Sequence, residues 1–451
     1  MKKLLVILSL LLTVGSLQAD KYKSWQRIHD TPLSELKQSF YKIPADFASH
    51  VIWGWEGNMD RKTVCADLDT IQKKGFRNVI IEAGYKLPFK YLSDGWFKAV
   101  KTAVQEARKR NMKVWIIDEG KYPSGFAGGK FSQERPDLRM QALVQCGKIS
   151  VKKGESLNDE KVPDNAFSAV AVSHSGEANQ TVDIKDGKFS FSAGLDDWDI
   201  LFMKSDFRTS QTRCVNNPTG GKDENNSLCD YLNPAAVKQF IDWTHEQYKK
   251  YLGKDFGSTL LGFRGDEPDF GRLPWTPSII EAFKAEKNYD PTPWLASFLT
   301  PTLTWEEQRV KADYWDVWSR LFAKNFFQQQ ADWCEANGVG HITHLNHDDE
   351  MPGCVRSEGD FFRDLSKVQV PGIDAIWNQI WPGKENDYPK QPSSVAHIYG
   401  KPRAFSESFA AYFTTPSIPE AKFVVDYQMV RGINFFEFMF WPSKSTQKTW
   451  M

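Results

Sequence analysis

The sequence predicts an α/β chain: a closed (β/α)8, or TIM, barrel with a small β-rich domain inserted after its third strand. Three observations predict it. Eight short β-branched and aromatic runs alternate with amphipathic helical stretches, as parallel strand–helix–strand units require. No first strand-to-helix turn carries a G-x-G-x-x-G or Walker lysine pattern, which argues against an open nucleotide-binding sheet. Acidic and aromatic residues gather at the ends of the runs, where such a barrel keeps its chemistry.

In chain order, residues 1–19 come first. Lys2-Lys3, the apolar stretch Leu4 to Val14 and the small-residue end Leu17-Gln18-Ala19 have the three-part layout of a secretory signal. The mature chain is therefore expected outside the cytoplasm, secreted or periplasmic, with a retained anchor as the alternative. No later segment approaches the roughly 20 apolar residues of a membrane span. The eight runs are His50 to Trp55, Phe76 to Ala83, Lys113 to Asp118, Leu260 to Gly265, Val339 to His344, Gly372 to Gln379, Arg403 to Ser408 and Ile433 to Phe440. The barrel is thus expected over 20–130 and 233–451.

The helices between them carry start and stop signals. Asn233-Pro234 is an N-cap followed by Pro at the first helical position, with Val237, Phe240, Ile241, Thr244 and Tyr248 at helical spacing and Gly253 at the end. Thr304-x-x-Glu307 and Ser417-x-x-Glu420 are capping boxes, the first opening a helix expected to run to about Asn337. Between 131 and 232 the period falls to two, with Gly, Asn, Asp and Ser clusters, which marks the inserted β-rich domain; a long loop is the alternative. The chain stops at Met451, about ten residues after the eighth run, which leaves the eighth helix apparently missing.

Composition removes several functions. Lys+Arg and Asp+Glu are both 57, so no excess charge exists to hold a phosphate backbone, and nucleic acid is not an expected partner. Six cysteines in a chain this long are no disulfide framework; Cys214 and Cys229 are the pair to bridge, with six buried thiols as the equal alternative.

The run ends hold the candidate site. Strand one ends in Trp53-Gly54-Trp55, strand two in Glu82, strand three in Asp118-Glu119, strand four in Arg264-Gly265-Asp266-Glu267-Pro268, strand seven in Ser406-Glu407-Ser408, and strand eight carries Glu437 before Trp441. Charges repeated round a barrel mouth are costly unless they bind something. Glycoside cleavage needs one carboxylic acid to protonate the leaving oxygen and one carboxylate to activate water or attack carbon. Glu267, closing an apolar strand beside Arg264 and Asp266, suits the acid, with a structural ion pair to Arg264 as the bland reading. Glu407, across the mouth, suits the base, and Glu358 competes with it. Trp53, Trp55, Glu82, Asp118, Arg264, Asp266, His344, Asn346, Trp377, Asn378 and Trp441 are the candidate substrate contacts. The run from His344 to Glu350 offers oxygen and nitrogen donors; oxygen-ligated Ca²⁺ near Glu358 is preferred to zinc, because His341 and His344 sit on alternate faces of a strand. The loop from Asp118 to Gly129 reads as a rigid substrate-binding loop, or as a turn into the insertion.

Asp118-Glu119-Gly120-Lys121-Tyr122-Pro123-Ser124-Gly125-Phe126-Ala127-Gly128-Gly129, Gly265-Asp266-Glu267-Pro268, Thr343-His344-Leu345-Asn346-His347 and Ser357-Glu358-Gly359-Asp360-Phe361-Phe362 together resemble glycoside hydrolase family 106, the α-L-rhamnosidases, from about Ser49 to Trp441. The resemblance implies an inverting enzyme with an active-site calcium ion that releases rhamnose from plant, pectic or other rhamnose-bearing glycans. It puts the acid on Glu267, and the base and the metal-contacting glutamate on Glu407 and Glu358, with the division between those two open. The chain departs from the family pattern by lacking the long C-terminal β-rich domains, which suggests a truncated product or a relative completed by a partner subunit. Two other readings compete: a non-catalytic glycan-binding barrel, and a glycosidase for another sugar.

Overall fold

Eight parallel strands close on themselves in sequence order, with the first beside both the second and the eighth. They are His50–Trp55, Asn78–Ala83, Lys113–Ile117, Leu260–Gly265, Gly340–Thr343, Val370–Ala375, Phe405–Ser408 and Phe435–Pro442, called strands one to eight. The computed structural model describes residues 32–443 apart from 121, 178, 209–226, 271–272, 300–303, 385 and 413. The signal segment expected at residues 1–19, Cys214 of the proposed pairing, and the stretch after Ser443 where the eighth helix would stand all lie outside the described residues.

Alternation along each strand sorts side chains between two cores. Ile52, Ile80, Trp115, Ile117, Ile342, Val370, Phe405 and Phe435 fill the barrel. Val51, Trp53, Trp55, Val79, Ile81, Val114 and Ile116 point outward against the helices Arg61–Lys73 and Asp94–Lys109. Interior space is tight around Trp115: a Cβ on Gly262 would lie 2.4 Å from its ring and 2.0 Å from the Gly340 carbonyl oxygen, so only glycine lets strands four and five approach there.

The helices begin where their caps dictate. Thr304 and Ser417 form reciprocal capping boxes with Glu307 and Glu420. The helix from Trp305 reaches Ala336 through a widened turn at Ala323–Gln328. The helix opened by Asn233 is interrupted at Thr244, whose hydroxyl bonds back to the Phe240 carbonyl, and a second helix, His245–Leu252, follows.

Between strands three and four the chain builds an antiparallel sheet. Gln141–Val151 pairs with Trp198–Phe207, which pairs with Ser168–Ser173 and then Gln180–Thr181; Ser156–Lys161 and Lys188–Ser192 form a separate two-stranded ribbon. One face of the sheet, with Ala169, Ala171, Ile200 and Phe202, has its own core. The other face, with Leu143, Val170, Leu201 and Met203, joins the apolar layer around the barrel. Its far edge is Pro274–Trp275, a two-residue strand that comes from beyond strand four.

Candidate active site

Asp374, Glu407 and Glu437 stand in register on strands six, seven and eight, so three carboxyl groups share one row across neighbouring strands. Such a row inside a barrel needs a counter-charge. Arg264, fully buried on strand four, supplies it: Nη1 lies 2.7 Å from Asp266 Oδ1, Nε lies 3.3 Å from Glu437 Oε2, and Nη2 donates to Glu407 Oε2. Burial still dominates. Glu437 is pushed up to about 8, and Glu407 is raised above the usual carboxylate range by burial while the guanidinium pulls it back.

Glu267 follows strand four in left-handed backbone, φ 34°, and projects toward His344 at the end of strand five. His344 Nε2 lies 3.5 Å from Glu267 Oε1, 3.7 Å from Asp266 Oδ1 and 3.9 Å from Asp374 Oδ2. Glu267 also lies within hydrogen-bonding range of the Asp374 carboxyl. Burial, then the Asp266 charge, pushes Glu267 up to about 8. Burial and the nearby Arg264 lower the pKa of His344, against the pull of Asp374, Asp266 and Glu407, and so favour its neutral ring. One histidine therefore sits between two groups, Asp266 with Glu407 and Glu267 with Asp374, each with its ligand atoms within 4.8 Å of one another.

Glu267 and Glu407 each bring a carboxyl oxygen within 4.8 Å of a ring nitrogen of His344. The two differ in partners: the Arg264 ion pair expected as the bland fate of Glu267 is made instead to Asp266, Glu407 and Glu437. Glu358 is fully buried; neither oxygen makes a sound hydrogen bond, although Ser357 lies close enough to ease its charge. Burial, then Asp269, Asp364 and Glu267, raise its pKa well above the usual range. It belongs to neither three-ligand group around His344, and no such group among the described residues pairs His341 with His344.

Several expected substrate contacts require correction. Trp53 and Trp55 are 0% exposed in the outer core, and the Trp53 indole donates to Asp67 on a barrel helix, because alternation turns inward Ile52 and Gly54 instead. Asp118 is also 0% exposed, and its Oδ1 accepts the Ser124 hydroxyl. Arg264 is sealed off as well, and acts through the carboxylates it holds. Others stand at the rim. Glu82 shares the inner face with Ile80 and is half-buried, and Asn346 is half-buried beyond strand five, whereas Trp441, in register with Trp53, packs against the same outer core. Trp377 and Asn378 take left-handed backbone beyond strand six, with Trp377 55% exposed.

Asp374 was not among the expected site residues. Its signal was available: an aspartate inside the apolar strand Val370–Ala375, aligned with Glu407. Ser124, whose hydroxyl oxygen accepts the Asp266 N–H, had no such signal, because the contact depends on a loop folding across to the end of strand four.

A parallel barrel with carboxyl groups gathered around one histidine at its mouth offers the paired acids that glycoside hydrolysis uses, although the fold alone fixes no chemistry. The family match makes the class specific. Residues 162–443 match the alpha-L-rhamnosidase model of glycoside hydrolase family 106, and the chain belongs to that family. Among solved structures it is similar to a rhamnosidase from Novosphingobium sp. PP1Y, with 13% identity, a TM-score of 0.66, and coverage of 90% of this chain and 56% of that one. The glycoside hydrolase domain of PgaB (BpsB) from Bordetella bronchiseptica aligns at 9% identity and a TM-score of 0.38, covering 87% of this chain and 93% of that chain. No curated protein matches the chain.

Proposed function

We propose that the chain is an exported, inverting α-L-rhamnosidase in which Glu267 is the general acid and Glu407 the general base. The observation that carries the reading is the unequal pairing of two carboxyl groups that share one centre: Glu407 rests on Arg264, whereas Glu267 faces neutral His344, Asp374 and the Asp266 charge. The first environment favours a carboxylate and the second a protonated acid, the division of labour that glycoside hydrolysis requires. Glu267 gives its proton to the glycosidic oxygen as the bond from that oxygen to the anomeric carbon breaks. Glu407 takes a proton from the water that attacks the opposite face of the sugar, and the product is released with inverted configuration. Proton return to Glu267 and loss from Glu407 complete the cycle.

Exposed Trp377 offers a stacking face for the sugar ring, with Asn378 next to it in the chain and Asn346 at the end of strand five as polar candidates; Glu82 stands on the other side of the mouth. Glu358 fits an oxygen-ligated Ca²⁺ in one respect, as a buried carboxylate without a sound hydrogen bond. When bound, such an ion would orient sugar hydroxyls and offset the surrounding negative charge. No helix among the described residues is long and apolar enough to cross a membrane.

Incubation with an aryl α-L-rhamnoside and with pectic oligosaccharides tests the reading. Rhamnose should be released, and NMR should show the opposite anomer appearing first. Retention of configuration would remove Glu407 from the base role, and release undiminished in Glu267→Gln would remove the acid. Prior treatment with EDTA should slow turnover and added Ca²⁺ restore it if Glu358 holds the ion. Binding of rhamnosides without turnover would favour the glycan-binding barrel, and turnover of other glycosides alone would favour a different sugar.

A further inference from the structure

The loop after strand three is built as a closed unit. Glu119, fully buried, accepts backbone N–H groups from Gly120 at 2.6 Å, from Gly128 at 3.0 Å and from Ala127, which draws Ala127 and Gly128 back against the end of strand three. Ser124 lies within this loop and is itself buried. Its carbonyl accepts the Tyr231 hydroxyl, and Tyr231 is stacked on Phe322 in the apolar layer, so the loop is anchored to the body of the protein. Gly125 lets Tyr231 come this close: its φ is 99°, and a Cβ there would lie 2.6 Å from the tyrosine ring.

From this position Ser124 grips the residue before Glu267. Its backbone N–H donates to the Asp266 carbonyl at 2.8 Å, and the Asp266 N–H donates to Ser124 Oγ at 2.7 Å. The hydroxyl has one proton, and it goes to Asp118 Oδ1 at 2.6 Å, which leaves Oγ to accept from Asp266. Asp118 is fixed in turn by donation of its own backbone N–H to the Arg264 carbonyl, 2.9 Å away. Both backbone polar atoms of Asp266 are therefore held, and with them the orientation of the peptide bond that leads into Glu267.

That restraint matters because Glu267 is in left-handed backbone, a conformation unfavourable for a non-glycine residue that persists only where the surroundings enforce it. We infer that Ser124, oriented by Asp118, is a positioning residue that holds the Asp266–Glu267 peptide in place and so aims the Glu267 carboxyl at the leaving oxygen. The inference rests on reading Glu267 as the acid. Ser124 and Asp118 are both buried, and Ser124 acts on Glu267 only through the backbone of Asp266.

Leaving-group dependence tests it. The 2,4-dinitrophenyl group departs with little help from an acid, whereas the 4-methoxyphenyl group needs its proton. Rates on both α-L-rhamnosides, with thermal midpoints, are compared for the parent chain, Glu267→Gln, Ser124→Ala, Ser124→Thr and Ser124→Cys. For Ser124→Ala, kcat on the methoxyphenyl substrate should fall about 10- to 100-fold, the effect of a misplaced catalytic group, with the dinitrophenyl rate and KM changed less than about threefold. Ser124→Thr keeps the hydroxyl and should restore most of the loss. Ser124→Cys preserves size but weakens both hydrogen bonds, and carries the same selective loss should the alanine variant not fold. Equal losses on both substrates, or none on either, overturn the inference. If Glu267→Gln itself shows no leaving-group dependence, the acid assignment fails first, and the result on Ser124 no longer bears on aiming.

Discussion

The two sides of the barrel mouth use similar strand-end residues to opposite ends. At strands one and two, Trp53 and Trp55 turn outward and Trp53 ties its indole to Asp67, while Glu56, nearly buried, sits 3.9 Å from Lys86. At strands four to eight, Arg264, Asp374, Glu407 and Glu437 turn inward and converge. Both sides place acidic and aromatic residues at strand ends. The difference lies in which face of the strand each residue occupies: shifted by one, a tryptophan passes from sugar platform to packing core.

Substitutions should separate the sides. Glu267→Gln and Glu407→Gln should each lower kcat by about 10²- to 10⁴-fold, the usual contribution of a general acid or base, whereas Glu82→Gln on the quiet side should change it less than about tenfold. Rhamnose release under saturating substrate measures this, and comparable losses at Glu82 would erase the contrast. Trp53→Ala should act on folding instead, costing about 3–5 kcal/mol in denaturant melts, with kcat per folded molecule unchanged. A loss of turnover without a loss of stability would return Trp53 to the site.

The pH profile sharpens the comparison further. Glu267 keeps its proton up to about 8 in the fold, against a usual value of 4.5. Its contribution to stability is therefore complete below about 4.5 and lost as pH rises through about 8, and its competence as acid is lost over the upper part of that window. The kcat profile should fall about tenfold per pH unit above the alkaline limb near 8. Asp266→Asn, by removing the neighbouring charge, should move that limb to lower pH; a limb that stays put would disconnect Glu267 from it. Trp377→Ala should give the smallest effect, a KM higher by about three- to tenfold with kcat nearly unchanged, as loss of a stacking face predicts.

The fold was largely legible in the sequence because its signals are local. All eight strands fall within or beside the predicted runs, and the caps at Asn233, Thr304 and Ser417 open helices as their side chains dictate. The cluster of Arg264, Asp266, Glu267, His344 and Glu407 was legible as strand-end residues as well. What escaped reading depends on facing and on distance along the chain. Inward or outward orientation is ambiguous by one residue at a strand end, which misplaced Trp53 and Trp55. Asp374 was overlooked within an apolar run, and the contact of Ser124 with Asp266 joins positions 142 residues apart.

The short strand Pro274–Trp275 belongs by sequence to the barrel and by pairing to the outer sheet, where it lies against Gln141 and Ala142. The two parts are stitched together and not merely attached. Trimming residues 131–232 to obtain a minimal barrel would strip this strand of its neighbour and loosen the connection that leaves strand four just after Glu267. A graft of this carboxylate-lined mouth onto another scaffold has to carry the outer sheet with it.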